Sequence, residues 1–369
     1  MVHTLLLSTF DLGRLTLSNR IVMPPMVIWQ AGEDGKVNQA HLEHYRASVG
    51  AGLCIVEATV VSPEGRLAAT QLGAFDDAQV EGLRQLAELI RAGGSLPGIQ
   101  LHHAGSKTTH KKNYGLPILA PTDIEDAPDG TAALNEDEIF RIVRDFADAA
   151  ERVADAGFQY IELHGAHGYL GSQFLSPARN RRSDSWGGNL EGRTRFLVEI
   201  TTAVKARLSS RAQPPVVGMR LGVADGEPGG LVLSEGMQAA QILVAAGVQL
   251  LHVSHGGSLP GFADDESRWS PTLRLAEAVR PLVSVPVIGV GEIRTPDEAE
   301  DALSLGVADL IAVGRGQLAD PGWARKVITH QSGAIEICQD CKPKCFHFSE
   351  PSKCPARKNL RRRGELASS

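Results

Sequence analysis

The segment His164-Gly165-Ala166-His167-Gly168-Tyr169 places two imidazoles three residues apart and a phenol two residues further on. Two imidazole N–H groups converging on one point bind and polarise a carbonyl oxygen or another anionic acceptor, and a phenol beside them can deliver a proton. Taken singly, the histidines could be structural and the tyrosine plain packing; the combination is the signal. Gln100 and Arg220 stand inside the otherwise apolar runs Pro97-Gly98-Ile99-Gln100-Leu101 and Val216-Val217-Gly218-Met219-Arg220-Leu221. A guanidinium cannot shed its charge, so one set in such a run requires a salt-bridge partner or a bound polar ligand. Towards the C-terminus, Val287-Ile288-Gly289-Val290-Gly291 and Ile311-Ala312-Val313-Gly314-Arg315-Gly316 end in glycines, whose exposed backbone N–H groups suit a phosphate. Beyond them, Cys338-x2-Cys341-x3-Cys345-x8-Cys354 gathers four of the 5 cysteines, a pattern of thiolates that reads as a metal site. Cys54, inside Leu53-Cys54-Ile55-Val56, reads as a core thiol.

These residues have to be positioned by something, and the apolar runs say what. Short runs bounded by Gly, Pro or polar turn residues predict eight strands: Arg20–Pro24, Leu53–Val60, Gly98–His103, Gln159–His164, Val216–Leu221, Gln249–Ser254, Pro286–Val290 and Asp309–Val313. Segments with helical spacing separate them, as in Glu136–Ala156, where Ile139, Val143, Phe146, Ala150 and Val153 recur at threes and fours. Ala156-Gly157, Ala246-Gly247 and Leu305-Gly306 repeat one device, a helix closed by Gly and followed at once by a strand. The reading is an α/β chain, a (β/α)8 TIM barrel over residues 1–332, with a short cysteine-containing extension over 333–369. An open doubly wound sheet would show a Gly-rich turn after its first strand, where this chain has Pro24-Pro25-Met26. In a barrel, function sits on the loops after the carboxyl ends of the strands. Gln100, Arg220, the histidine pair and both glycine runs all fall at such ends.

Composition excludes several classes. Charged residues make up 22% and hydrophobic ones 43%, an ordinary globular balance that rules out disorder. A formal net charge of −6 gives no drive toward nucleic acid or anionic lipid, so neither is expected as a partner. No run approaches the roughly 20 apolar residues that cross a bilayer, and Leu5–Leu7 is too short for a signal peptide. Sparse cysteines outside one cluster fit a reducing compartment, and a cytoplasmic protein is expected.

The chain resembles the old yellow enzymes, the FMN-dependent ene-reductases of the NADH:flavin oxidoreductase group. The resemblance runs from about Leu12 to Arg325. It rests on Leu12-Gly13-Arg14-Leu15-Thr16-Leu17-Ser18-Asn19-Arg20-Ile21-Val22-Met23-Pro24-Pro25-Met26, on Gly98-Ile99-Gln100-Leu101-His102-His103-Ala104-Gly105, and on the stretch from His164 through Phe174-Leu175-Ser176-Pro177 to Trp186-Gly187-Gly188-Asn189. It implies that the backbone of Pro24, Pro25, Met26 and Val27 lies against the flavin ring, with Ala58 beside it. Gln100 would bond the pyrimidine edge, and Arg220 would face the N1/C2 side and stabilise the reduced flavin's anion. Gly291, Gly314 and Arg315 would hold the FMN phosphate. His164 and His167 would bind the substrate carbonyl oxygen and Tyr169 would protonate the α-carbon, with NADH or NADPH as transient reductant. A homo-oligomer, dimer or tetramer, is implied as well.

Two features, Val27 and the C-terminal thiols, depart from that pattern, while Trp29 matches it. Val27 stands where relatives often carry Thr or Cys to hydrogen-bond the flavin carbonyl, and valine cannot donate. Trp29 falls where an aromatic often lines the substrate pocket, and it serves equally as core packing. The thiols of Cys338, Cys341, Cys345 and Cys354 are similar to a run that binds a [4Fe–4S] cluster in the dienoyl-CoA reductase and amine dehydrogenase relatives, although the last interval there is longer. A cluster would call for an electron-transfer partner, zinc would pin the tail, and an unmetallated tail is the third possibility. The expected function is reduction of the C=C bond of α,β-unsaturated carbonyl compounds. The alternative in the same fold is oxidative amine demethylation with electrons leaving through the cluster. A metal-dependent hydrolase or aldolase barrel, with His164 and His167 as ligands, lacks further acidic or histidine ligands at the first two strand ends.

Overall fold

The computed structural model describes residues 3–123, 128–257, 267–342, 345–348 and 350–366. Eight short parallel strands in it close on themselves: β1 (Ile21–Met23), β2 (Leu53–Val60), β3 (Leu96–His102), β4 (Tyr160–Gly165), β5 (Val216–Gly222), β6 (Leu251–Ser254), β7 (Val287–Val290) and β8 (Leu310–Ala312). Each pairs with its neighbours in chain order, and β8 returns to β1 through Ile311↔Ile21 and Ala312↔Val22. Every expected strand is present, with ends moved by one or two residues and β2 matching at both ends. β2 is buried along its whole length, which is why it reads as a continuous apolar run.

A helix follows each strand: α1 (Gln39–Ala47), α2 (Val80–Ala92), α3 (Glu136–Asp155), α4 (Leu190–Leu208), α5 (Leu233–Ala245), α6 (Pro271–Val279), α7 (Pro296–Ser304) and α8 (Trp323–Ile328). α3 shows how the sequence specifies them. Asn135 accepts from the Glu138 N–H at 2.9 Å while Glu138 accepts from the Asn135 N–H at 2.8 Å, a reciprocal cap that fixes its start. Ile139, Ile142, Val143, Phe146, Ala150 and Val153 then form one buried stripe against the barrel. Gly157, Gly247 and Gly306 all take positive φ, so the repeated Gly device does end helices in the left-handed conformation.

Two small sheets lay outside the strand reading. Phe10–Leu12 and Leu15–Leu17 form an antiparallel hairpin, and Ile118–Ala120 pairs in parallel with Thr131–Ala133 in the long segment after β3. After residue 332 the chain folds back on the barrel. Glu336 N–H donates to Asp320 at 2.9 Å, Arg357 Nε donates to the Leu318 carbonyl at 2.8 Å, and Ala356 and Leu360 are buried. Among the described residues no helix is long and apolar enough to cross a membrane.

Candidate active site

The carboxyl ends of the strands carry polar residues at alternate positions, which share one face of a strand and here point into the barrel mouth. Gln100 on β3 lies in register with Glu162 on β4, and its Nε2 donates to Glu162 Oε1 at 2.7 Å. The other oxygen of Glu162 lies 2.9 Å from His252 Nδ1 on β6 and 3.2 Å from Tyr160 Oη. All four side chains are buried. Burial opposes ionisation of Glu162, but His252, the hydrogen bonds and Arg220 outweigh it and hold its pKa below the ordinary carboxylate value. Burial drives His252 the other way, below the usual imidazole range, against the pull of Glu162. The consistent assignment is a neutral His252 donating from Nδ1 to a carboxylate. Cutting one partner out of so buried a network costs about 3–5 kcal/mol.

Arg220 on β5 sits in register between His164 on β4 and His252 on β6. Its Nε is buried and makes no hydrogen bond. A guanidinium edge without a protein partner at a barrel mouth fits the anionic or strongly polar ligand expected of it.

His164 and His167 are brought together, but they address each other before any ligand. His167 Nδ1 lies 3.3 Å from His164 Nε2, and His167 Nε2 lies 2.8 Å from Ser254 Oγ. The Ala166 N–H approaches His164 Nδ1 at 3.4 Å, so that nitrogen accepts. The relay then reads His164 Nε2–H to His167 Nδ1, and His167 Nε2–H to Ser254. Burial pushes both imidazoles well below their usual pKa, and the neighbouring cation and imidazoles add to it, so both are neutral. His167 holds φ 62°, a left-handed backbone that aims its ring into the mouth. Tyr169 packs edge-on against His164, with centroids 5.0 Å apart. Burial raises its phenol pKa and Arg220 opposes the rise. Lys107 donates to the His167 carbonyl at 2.7 Å and places its ammonium 5.3 Å from the Tyr169 ring centre.

A cleft of about 300 Å³ opens beside these groups, lined by Pro24, Met26, His167, Arg220, Gly291, Gly314 and Arg315 among others. Seven of the residues expected to meet the flavin or the substrate thus share one wall. Gly291 has φ 141°, and a Cβ there would meet Ser270 Oγ at 2.4 Å, so only glycine fits. Pro25 is buried beneath the loop, and Val27 and Trp29 are half-buried in it, Trp29 with φ 55°. Ala58 is buried at a break in the β2–β3 register between Val56 and Ala58, a bulge of the kind that re-aims a strand end at a site. Arg315 carries two carboxylates: Asp340 bonds its Nη1, and Glu292 lies 3.4 Å from its Nη2.

Cys338, Cys341, Cys345 and Cys354 line one small cavity of about 20 Å³, together with Arg315. Cys338 and Arg315 also line the larger cleft, so they form the wall between the two. All four thiols are free, and among the described residues no group of three or more His, Cys, Asp or Glu side chains has metal-holding geometry. Burial raises the Cys345 pKa, and Cys338 and Cys354 raise it further. Cys54 is a core thiol as expected, buried, with its pKa pushed up to about 12 and its Sγ 3.6 Å from Met23 Sδ.

Sequence reading missed Glu162, His252, Ser254, His102 and Asp340. A signal for the first four was present. Glu162/His164, His252/Ser254 and Gln100/His102 are all polar pairs at i, i+2 at the end of an apolar strand, which is one face of three neighbouring or facing strands.

Residues 6–333 match the NADH:flavin oxidoreductase / NADH oxidase family. The chain is 41% identical over 350 residues to an NADH oxidase of Thermoanaerobacter brockii, covering 92% of this chain and 53% of that protein. It is 37% identical over 329 residues to an NADPH dehydrogenase of Geobacillus sp. (strain WCH70), covering 87% of this chain and 93% of that one. Among solved structures, morphinone reductase superposes with a TM-score of 0.75 at 28% identity, covering 93% and 92% of the two chains. A 2-naphthoyl-CoA reductase bound to 2-naphthoyl-CoA superposes with a TM-score of 0.85 at 25% identity over 93% of this chain and 55% of that one. The chain therefore spans about half the length of some relatives and nearly all of others.

Proposed function

This chain belongs to the NADH:flavin oxidoreductase / NADH oxidase family, and we propose that it uses NAD(P)H to reduce FMN and reduces the C=C bond of α,β-unsaturated carbonyl compounds. FMN, when bound, supplies the hydride chemistry. The residues present fit it: an unpartnered Arg220 edge, a Gln100 amide, a mouth floored by Pro24 and Met26, and glycines at Gly291 and Gly314 where a phosphate needs backbone access.

The observation that carries this reading is the neutral His164–His167 relay, whose His167 lines that cleft, with the Tyr169 ring edge-on to His164. Two neutral imidazoles offer N–H donors without a cation, which suits a carbonyl oxygen and gives a cationic amine nothing to gain. Turning His164 Nε2–H and His167 Nε2–H from their internal acceptors to a substrate oxygen polarises the enone. Tyr169 Oη then holds the proton for the α-carbon, protonated at neutral pH as an ordinary phenol is, with burial raising its pKa further. The test is anaerobic reduction of 2-cyclohexenone by the FMN-loaded protein with NADPH or NADH. Saturated ketone formed in step with nicotinamide oxidation supports the proposal, and oxidation without enone turnover sinks it.

A second reading rests on the shared wall of Cys338 and Arg315, which puts the four-thiol cavity against the flavin cleft. A [4Fe–4S] cluster there would hand electrons to a partner, as amine oxidation requires, whereas Zn2+ would only brace the extension. Iron, zinc and sulfide assays on protein purified without air decide between them, and absence of all three leaves an unmetallated tail. We also propose a small-molecule partner only, a cytoplasmic location and a homo-oligomer, testable by light scattering.

A further inference from the structure

Gln100 has an amide with two unlike ends, and which end faces the mouth is decided beneath it. Its Nε2 lies 2.7 Å from Glu162 Oε1. Flipped, the amide would set its carbonyl oxygen against a carboxylate oxygen, two acceptors with no proton between them. Glu162 therefore commits the NH2 end downward and leaves the carbonyl Oε1 as the acceptor for a ligand. An isoalloxazine presents an imide N–H on its pyrimidine edge, which is the donor that oxygen needs. The carboxylate is itself held from below, by His252 Nδ1 at 2.9 Å and Tyr160 Oη at 3.2 Å.

Charge gives Glu162 a second role. Among the buried groups around the mouth, the carboxylate of Glu162 bonds the Gln100 amide, the His252 imidazole and the Tyr160 phenol, and its strand pairs with the one that carries Arg220, whose guanidinium its charge favours. It is the one anion set against Arg220 there among the described residues. A reduced flavin brings a competing negative charge to that same cation.

We propose that Glu162 is a positioning residue of the flavin site, orienting the Gln100 amide and serving as counter-charge to Arg220, so that it governs both flavin affinity and flavin potential. This rests on the FMN reading above.

The test uses E162Q loaded with FMN, with the dissociation constant read by fluorescence quenching and the midpoint potential by dye equilibration. A glutamine can face Gln100 in either orientation, so the constant rises about fivefold, the worth of one oriented hydrogen bond. With its counter-charge gone, Arg220 favours the reduced flavin and the potential becomes more positive. E162D keeps the charge but draws it away from Gln100, so it weakens binding and leaves the potential where it was. In a Q100A background, E162Q adds nothing to the loss of affinity yet still raises the potential. A purely structural Glu162 would lower thermal stability without moving the potential.

Wild-type affinity and potential in folded E162Q overturn the inference. If E162Q does not fold, wild-type affinity in E162D does the same. FMN uptake without enone reduction removes the ene-reductase reading and leaves this one standing, whereas failure of the wild-type protein to take up FMN overturns both.

Discussion

His164 Nε2 and His167 Nδ1 lie 3.3 Å apart, so the two imidazoles form a directed pair whose far end rests on Ser254 Oγ at 2.8 Å. The direction matters, because each ring must present N–H rather than a lone pair to a carbonyl oxygen. The Ala166 N–H fixes it by making His164 Nδ1 an acceptor, and the Ser254 hydroxyl, able to donate or accept, takes the role that remains.

Ser254→Ala removes the acceptor that holds His167 Nε2–H. The substrate oxygen then no longer has to displace that hydrogen bond, about 1 kcal/mol, which predicts a rise of about fivefold in kcat/KM for an enone. Flavin reduction by the nicotinamide, measured in a stopped-flow half-reaction, stays at the wild-type rate. A slowed half-reaction would show that Ser254 supports the flavin instead.

His102 is buried with both ring nitrogens unpartnered, edge-on to Tyr169 at 4.5 Å and to His164 at 5.2 Å between centroids. Burial, with His103 beside it, lowers its pKa to about 3, so it is a neutral ring in the layer around His164 and Tyr169. His102→Phe keeps the ring packing and removes the unpaired polar atoms, so the melting temperature rises by a few degrees. A drop instead would mean that the nitrogens are satisfied in solution.

Asp340 bonds the Arg315 guanidinium where a phosphate is expected. Asp340→Asn removes a competing anion, and the FMN dissociation constant falls several-fold at low ionic strength, with a smaller gain at 0.5 M salt. An unchanged constant would separate Arg315 from phosphate binding.

Val27 has no donor for a flavin carbonyl and sits half-buried in the loop after Pro25. Val27→Thr supplies one, and the midpoint potential rises. No change in potential would place the side chain away from the ring.

Buried histidines set the pH limits. Burial lowers the pKa of His41, His103 and His347 to about 4 and of His44 and His102 to about 3, against 6.5 when exposed. Below 6.5 the unfolded chain binds protons that the folded one refuses, so stability is full above 6.5 and falls as the pH drops toward 4. Glu57 works in the opposite sense: burial raises it to about 8, so the folded state holds a proton the unfolded state has lost, and stability declines as pH rises from 4.5 to 8. Glu57 and His41 lie 3.8 Å apart, and their contributions offset each other from about 4.5 to 6.5. Glu57→Gln should therefore flatten the decline between pH 6.5 and 8 in chemical denaturation, while the acid limb persists. A decline that survives the substitution would assign it to another group.

The barrel was legible because its strands are buried on both sides, so each appears in sequence as an apolar run ended by a turn, with β2 the clearest case. The candidate site stands out in sequence where a residue type breaks such a run, as Arg220 and Gln100 do. Glu162 breaks one just as plainly, but its meaning lies in what it touches, and Gln100 and His252 are 62 and 90 residues away from it in the chain. The Asp340–Arg315 contact was invisible for the same reason, since it joins the extension to a strand end 25 residues earlier. The hairpin at Phe10–Leu17 and the pair Ile118–Ala120 with Thr131–Ala133 have three residues per strand, too few for alternation to register.

Cys338 and Arg315 line both the barrel-mouth cleft and the thiol cavity, so these two side chains belong to both spaces at once. The barrel consequently has no clean seam at residue 332. A fragment cut there would lose Cys338 from the lining of the cleft, and any transplant of this barrel into another protein has to bring that residue along as part of the masonry.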